Sequence, residues 1–246
     1  MTVQVAEYAE VLKPEAERLG VALGEARWED DAHDAKLGVV ESTHVHLVSS
    51  TFGCPASEIV ERLHRADIQV AVTVTTVLEA EVAADAGTDL LIVQGTEVGG
   101  HQGSFTDHSG NHRPLLTLLE EIRETTDVPM IGTGGIMTGR DAAAVLGAGA
   151  VAVQLGTALL CTPEAGTSAL YREALLDGRY PDTILTRADS GRLARGLANR
   201  FALEHDGRHR RHTRRCITSL ARFAPPPPRP ATPACPTSGP APAGPR

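Results

Sequence analysis

The 246-residue chain is 41% hydrophobic but only 3% aromatic, so any core must be built from aliphatic side chains and alanine. Its net charge of −8 is uneven: residues 207–246 hold eight Arg and no acid, and discounting them leaves −16 on residues 1–206. So acidic a body argues against nucleic acid as the main partner. No stretch approaches the ~20 continuous apolar residues of a membrane span, and the N-terminus has no basic, apolar signal-peptide pattern. Cys54, Cys161, Cys216 and Cys235 show neither disulfide nor metal spacing, which predicts free thiols, no metal and a reducing, cytoplasmic setting.

Residues 1–36 are charged and weakly patterned. Tyr8 to Leu19 has helical apolar spacing, with Pro14 read near a helix start, and Trp28 to Asp34 reads as an acidic link. A regular alternation then begins. Strands are expected over Val45–Ser49, Gln69–Thr75, Leu90–Val93, Val128–Gly132 and Ala150–Leu155. Helices are expected over Ala56–Arg65, Val77–Ala86, Leu115–Thr125, Arg140–Leu146 and Pro163–Leu176, with a last one over Ser190–Leu203. Strands alternating with helices of about ten residues mean βαβ units and a parallel sheet. The spacing leaves two architectures open, a five-stranded open sheet or a (β/α)8 TIM-type barrel lacking its first strands, since a closed barrel needs eight strands and about 250 residues.

The chain divides into a globular part, 1–206, and an Arg/Pro-rich tail, 207–246, which holds ten of the sixteen prolines. Such a composition cannot bury a core, and the tail is expected to be disordered. An out-of-frame reading of a G/C-rich gene would generate that mixture of Arg, Pro and Ala.

Three glycine-rich turns follow predicted strands. Gln94-Gly95-Thr96-Glu97-Val98-Gly99-Gly100-His101-Gln102-Gly103 comes after the central apolar run. An imidazole at the C-terminal end of a parallel strand occupies the catalytic edge of an α/β barrel, or simply faces water. Thr133-Gly134-Gly135-Ile136 and Gln154-Leu155-Gly156-Thr157 end the next two strands. Paired glycines expose backbone N–H groups, the helix behind adds its positive end, and two such loops on consecutive strands make a phosphate cradle. Neither a P-loop nor a Gly-x-Gly-x-x-Gly dinucleotide motif is present.

These three motifs, with Phe52-Gly53-Cys54-Pro55 and the segment Thr186 to Arg200, resemble the nitronate monooxygenases over roughly residues 8–205. The resemblance implies an FMN-dependent (β/α)8 barrel that oxidises alkyl nitronates and nitroalkanes with O2 to a carbonyl compound and nitrite. It implies that Gly134, Gly135, Gly156 and Thr157 hold the FMN phosphate, that Gly99 and Gly100 pass close to the flavin ring, that Gln154 faces the cofactor, and that His101 is the catalytic base. The family's alanine is replaced by Val98, and its frequent aromatic by Ser50. About three further strand–helix units begin the family barrel, so the expected domain is a partial one, truncated at its start. Enoyl-acyl-carrier-protein reductases of the same superfamily share the Gly-Gly-His and Gly-Gly-Ile elements, which leaves an FMN-dependent enoyl-thioester reduction as one alternative and an inactive, flavin-free remnant as another. A homo-oligomer is left open.

The remaining candidates read as structural. His44 and His46 share a strand face without a third metal ligand, and His108 and His112 lie in a loop with Asp107. Cys161 is expected to be a packed thiol, Glu97 a turn residue, and Arg187, Arg192, Arg195 and Arg200 a solvated or ion-paired helix face.

Overall fold

A computed structural model describes residues 3–24, 32–106 and 113–206. His108, His112 and the tail lie outside the described residues. The elements are α1 (Val3–Leu19), α2 (His33–Thr43), β1 (Leu47–Ser50), α3 (Ser57–His64), β2 (Gln69–Val74), α4 (Val77–Asp85), β3 (Leu90–Gln94), β4 (Gly100–His101), α5 (Leu115–Arg123), β5 (Met130–Thr133), α6 (Gly139–Gly147), β6 (Ala152–Gln154), a 3-10 turn (Thr157–Leu159), α7 (Ala169–Leu176), β7 (Thr183–Thr186), β8 (Ala194–Leu197) and α8 (Arg200–His205).

Five strands form one parallel sheet in the order β1-β2-β3-β5-β6. Neighbours in space follow the chain, with helices between them, as in a (β/α) barrel. Strand periodicity sorts the two faces. Val70, Val72, Val74, Leu91 and Val93 turn to the helices, where Val60, Leu63, Ala80, Ala83, Leu118, Leu119, Ile122 and Val145 complete a buried aliphatic core. Each such Val or Leu is stabilised by roughly 1.5–3 kcal/mol on burial. The intervening residues Thr73, Ile92 and Gln94 face a cleft on the other side of the sheet.

A second, three-stranded antiparallel sheet, β4-β8-β7, stands beside the first. It overturns the expected helix over Ser190–Leu203: Ala194–Leu197 is a strand, and only Arg200–His205 is helical. The four-residue strand Ala-Arg-Gly-Leu has no apolar alternation to betray it. Two other boundaries move. The helix expected from Pro163 begins at Ala169, after a 3-10 turn, and Pro14 sits inside α1 rather than near its start. His44 caps α2 and the first strand starts at Leu47, so His44 and His46 share no strand face.

α1 packs on this second layer. Tyr8 and Leu12 are buried against Phe201 of α8. The Tyr8 hydroxyl donates to the Ala188 carbonyl at 2.7 Å. Glu15 accepts from Arg200 at 2.8 Å, and the Arg200 and Arg18 guanidiniums hold its carboxyl down at about 2. The stabilisation is therefore present above the ordinary carboxylate range and is lost as pH falls toward 2.

Tyr8→Phe is expected to cost about 1–3 kcal/mol, because it strips a buried carbonyl of its donor while keeping the ring. A urea midpoint unchanged from wild type would show that α1 does not depend on this bond.

Candidate functional site

The C-terminal ends of the parallel strands open into a cleft of about 610 Å³. Thr73 of β2, Gln94 of β3, Thr133 of β5 and Gln154 of β6 contribute its floor. Of the residues singled out in the sequence, Gly99, Gly100, Gly134, Gly135, Gln154, Gly156 and Thr157 all line it. His101 does not line it directly but follows Gly100 in β4.

The glycine turns pack on one another. A Cβ on Gly99 would come within 2.6 Å of Thr157 Oγ1, and one on Gly135 within 2.8 Å of Glu97 Cβ. Gly134 and Gly135 hold φ of +114° and +69°, which side-chain-bearing residues rarely adopt. The close approach anticipated for these glycines is thus in part approach of loop to loop. The N–H groups of Gly134, Gly135, Gly156 and Thr157 donate no hydrogen bond to any described residue. The start of α6 is different. Asp141 accepts from the N–H groups of Met137 (3.1 Å) and Thr138 (2.8 Å), and closes a capping box with Thr138. A carboxylate of the helix itself thus stands at the positive end expected to serve an anion.

His101 sits half-buried in a polar corner. Its Nε2 lies 2.5 Å from Ser190 Oγ. Its ring meets the Phe52 ring edge-on, centroids 6.1 Å apart, and the Arg192 guanidinium lies 4.3 Å over the other ring of that pair, Phe52. Burial, and then the nearby Arg192 charge, push the imidazole pKa below its ordinary value, with Asp189 opposing them.

Sequence reasoning missed the residues that hold the His101 loop in place. Gln94 accepts from Gly103 N–H at 2.8 Å. Glu79, buried in α4, accepts from Phe105 N–H at 2.7 Å. Arg192 donates to the Ser104 carbonyl at 3.2 Å, and Arg195 to the Thr96 carbonyl at 3.0 Å. Far from forming a solvated face, Arg192 is buried, and Arg195 lines the cleft from β8. Glu97 does take the structural role expected of it, accepting from Leu115 N–H at the start of α5. Cys54 and Cys161 are half-buried free thiols.

Residues 2–219 match the family model for nitronate monooxygenase. The chain belongs to the nitronate monooxygenase family. It is 38% identical over 179 residues to a probable nitronate monooxygenase of Staphylococcus aureus, an alignment covering 72% of this chain and 50% of that protein. It is also similar to the crystal structure of nitroalkane oxidase from Streptomyces ansochromogenes, with 42% identity and a TM-score of 0.86, covering 89% of this chain and 65% of the other. FabK from Thermotoga maritima is more distant, at 28% identity and a TM-score of 0.60 over 70% of this chain and 52% of that one. The chain spans about half the length of the curated relatives it matches. The expected α/β fold of the (β/α)-barrel type is what these comparisons and the parallel sheet show. Among the described residues no helix is long and apolar enough to cross a membrane.

Gly99→Ala is expected to destabilise the protein by about 1–3 kcal/mol, because its methyl group collides with a stiff threonine side chain. Thr157→Ala, which removes the colliding hydroxyl, should reduce that cost in a double-mutant cycle. Additive effects of the two substitutions would show that the turns do not meet there.

Proposed function

We propose that the cleft binds FMN and that the protein oxidises nitronates and nitroalkanes with O2 to a carbonyl compound and nitrite. The observation that carries this reading is the convergence of three glycine turns on one cleft, with four backbone N–H groups that have no partner among the described residues. Those N–H groups, of Gly134, Gly135, Gly156 and Thr157, suit a phosphate. Walls from Ile92, Val98, Ile136 and Leu160, with Gly99 and Gly100 removing bulk, suit a flat and largely apolar ring. Gln154 adds a polar group on the same side.

Bound FMN would supply the electron-accepting chemistry, and the residues of the chain supply position and proton transfer. In this reading His101 removes the proton on the carbon beside the nitro group. That task needs a neutral imidazole, the form that burial and the Arg192 charge favour. A substrate supplied as the nitronate has already lost that proton. It therefore depends on the cleft and not on the base.

The purified 246-residue chain is expected to carry, or take up, stoichiometric FMN, read from its visible spectrum and from flavin released by heat. It should then consume O2 when given a nitronate. Absence of flavin after soaking in excess FMN would overturn the reading and favour a flavin-free remnant. His101→Ala should lower the ratio of nitroalkane to nitronate turnover by about 10²–10⁴. The nitroalkane pH profile should lose activity only as pH falls below the ordinary imidazole value of 6.5. Arg192→Gln removes a charge that disfavours the imidazolium, so it should move that acid limb upward. A limb unmoved in Arg192→Gln would contradict the assignment of the limb to His101.

A further inference from the structure

We infer that Ser190 is a positioning residue for His101, holding Nε2 as the protonated ring nitrogen and leaving Nδ1 to take the substrate's proton. The inference rests on the reading of His101 as a base and adds which nitrogen acts and what selects it.

The two side chains are 89 residues apart in sequence. Antiparallel pairing brings them together: Gly100 faces Arg195 and His101 faces Ala194 across β4 and β8. Gln102 N–H extends the ladder to the Leu193 carbonyl at 2.9 Å. Ser190, only 6% exposed, lies in the turn before β8. Among the described residues its Oγ has three hydrogen-bonding neighbours. Arg192 N–H points at it from 3.4 Å, the Arg192 carbonyl lies 3.5 Å away, and His101 Nε2 lies 2.5 Å away.

A hydroxyl has one proton to donate and two lone pairs to accept with. One of these neighbours can only donate and another can only accept. All three contacts are satisfied together when the hydroxyl proton goes to the Arg192 carbonyl and Oγ accepts from both Arg192 N–H and His101 Nε2–H. The ring's lone pair is then on Nδ1. Among the described residues, the bond from Nε2 is the ring's one side-chain hydrogen bond.

The arrangement also suits a base that gains charge. When Nδ1 takes a proton, both ring nitrogens carry hydrogen, and the Nε2–H bond to Ser190 is kept and strengthened by the charge. In the opposite tautomer the Ser190 hydroxyl would donate to Nε2. Protonating that ring would break the bond or force the hydroxyl to turn. The charged groups acting on the ring are Arg192, which disfavours the cation, and Asp189, which favours it. Neither replaces the hydroxyl at Nε2.

The test begins with ¹⁵N–¹H NMR of the full chain, the His101 ring assigned by its loss in His101→Gln. Above the titration, Nε2 should be the nitrogen carrying hydrogen and Nδ1 the bare one, and a ring protonated on Nδ1 would overturn the inference without any activity measurement. In the flavin-loaded enzyme, Ser190→Ala should lower the nitroalkane-to-nitronate turnover ratio by about tenfold, less than the roughly 10²–10⁴ lost with the base itself. It should act through kcat with KM little changed, and Ser190→Thr, which keeps the hydroxyl, should restore the ratio. Equal loss with both substrates, or an unchanged ratio, would overturn the positioning role. His101→Gln separates the two readings: if it leaves the ratio intact, the base assignment itself fails.

Discussion

The site depends on a strand pairing only two residues long. β4 comprises Gly100 and His101, and its partner β8 belongs to the segment that follows the parallel sheet. Without that pairing the glycine-rich loop after β3 would have no backbone ladder to the second sheet. With it, the loop is tied at its centre to a sheet that carries Arg195, with Ser190 and Arg192 in the turn leading into it. The parallel sheet positions the floor of the cleft, and the antiparallel one positions its wall and the surroundings of His101.

A two-residue ladder cannot hold a loop alone, and the polar side chains around it complete the task. Gln94, Glu79, Arg192 and Arg195 each bond to a backbone group of residues 96–105. Glu79 is the most demanding of these, because a buried carboxylate is tolerated only when well supplied with donors. It has Thr75 N–H, Thr75 Oγ1 and Phe105 N–H. Removing the Gln94 or Arg192 tether would leave a polar group of a buried residue, Gly103 or Ser104, without that partner.

The half of the fold that obeys simple periodicity was legible in the chain. Val70, Val72 and Val74 alternate with residues facing the cleft, and α5 carries Leu115, Leu118, Leu119 and Ile122 on one buried stripe. The glycine turns were legible for the same reason, since each follows such a strand. The second sheet was not. β7 and β8 have four residues each, and two strand positions of β8 are Arg195 and Gly196, which line the cleft and break any apolar alternation. α2 escaped because it buries no residue and so leaves no amphipathic signal. Ser190 and Glu79 escaped for a different reason. A serine in a turn and a glutamate in a first helical turn are ordinary in sequence, and only their distant partners make them particular.

Beside burial itself, the electrostatics of the corner turn on the placing of Arg192 inside the protein. A buried guanidinium needs both hydrogen bonds and a tolerant surface. The Ser104 carbonyl supplies the first and the face of Phe52 the second. Phe52 in turn presents its ring edge-on to His101. The same cation therefore fixes the loop through Ser104, orients the aromatic ring that borders the imidazole, and disfavours the imidazolium by its charge. Lysine could carry the charge but could not place a delocalised guanidinium over Phe52 while also bonding the carbonyl. Arg192 thus bears on both structure and proton affinity at His101, second to burial in the latter.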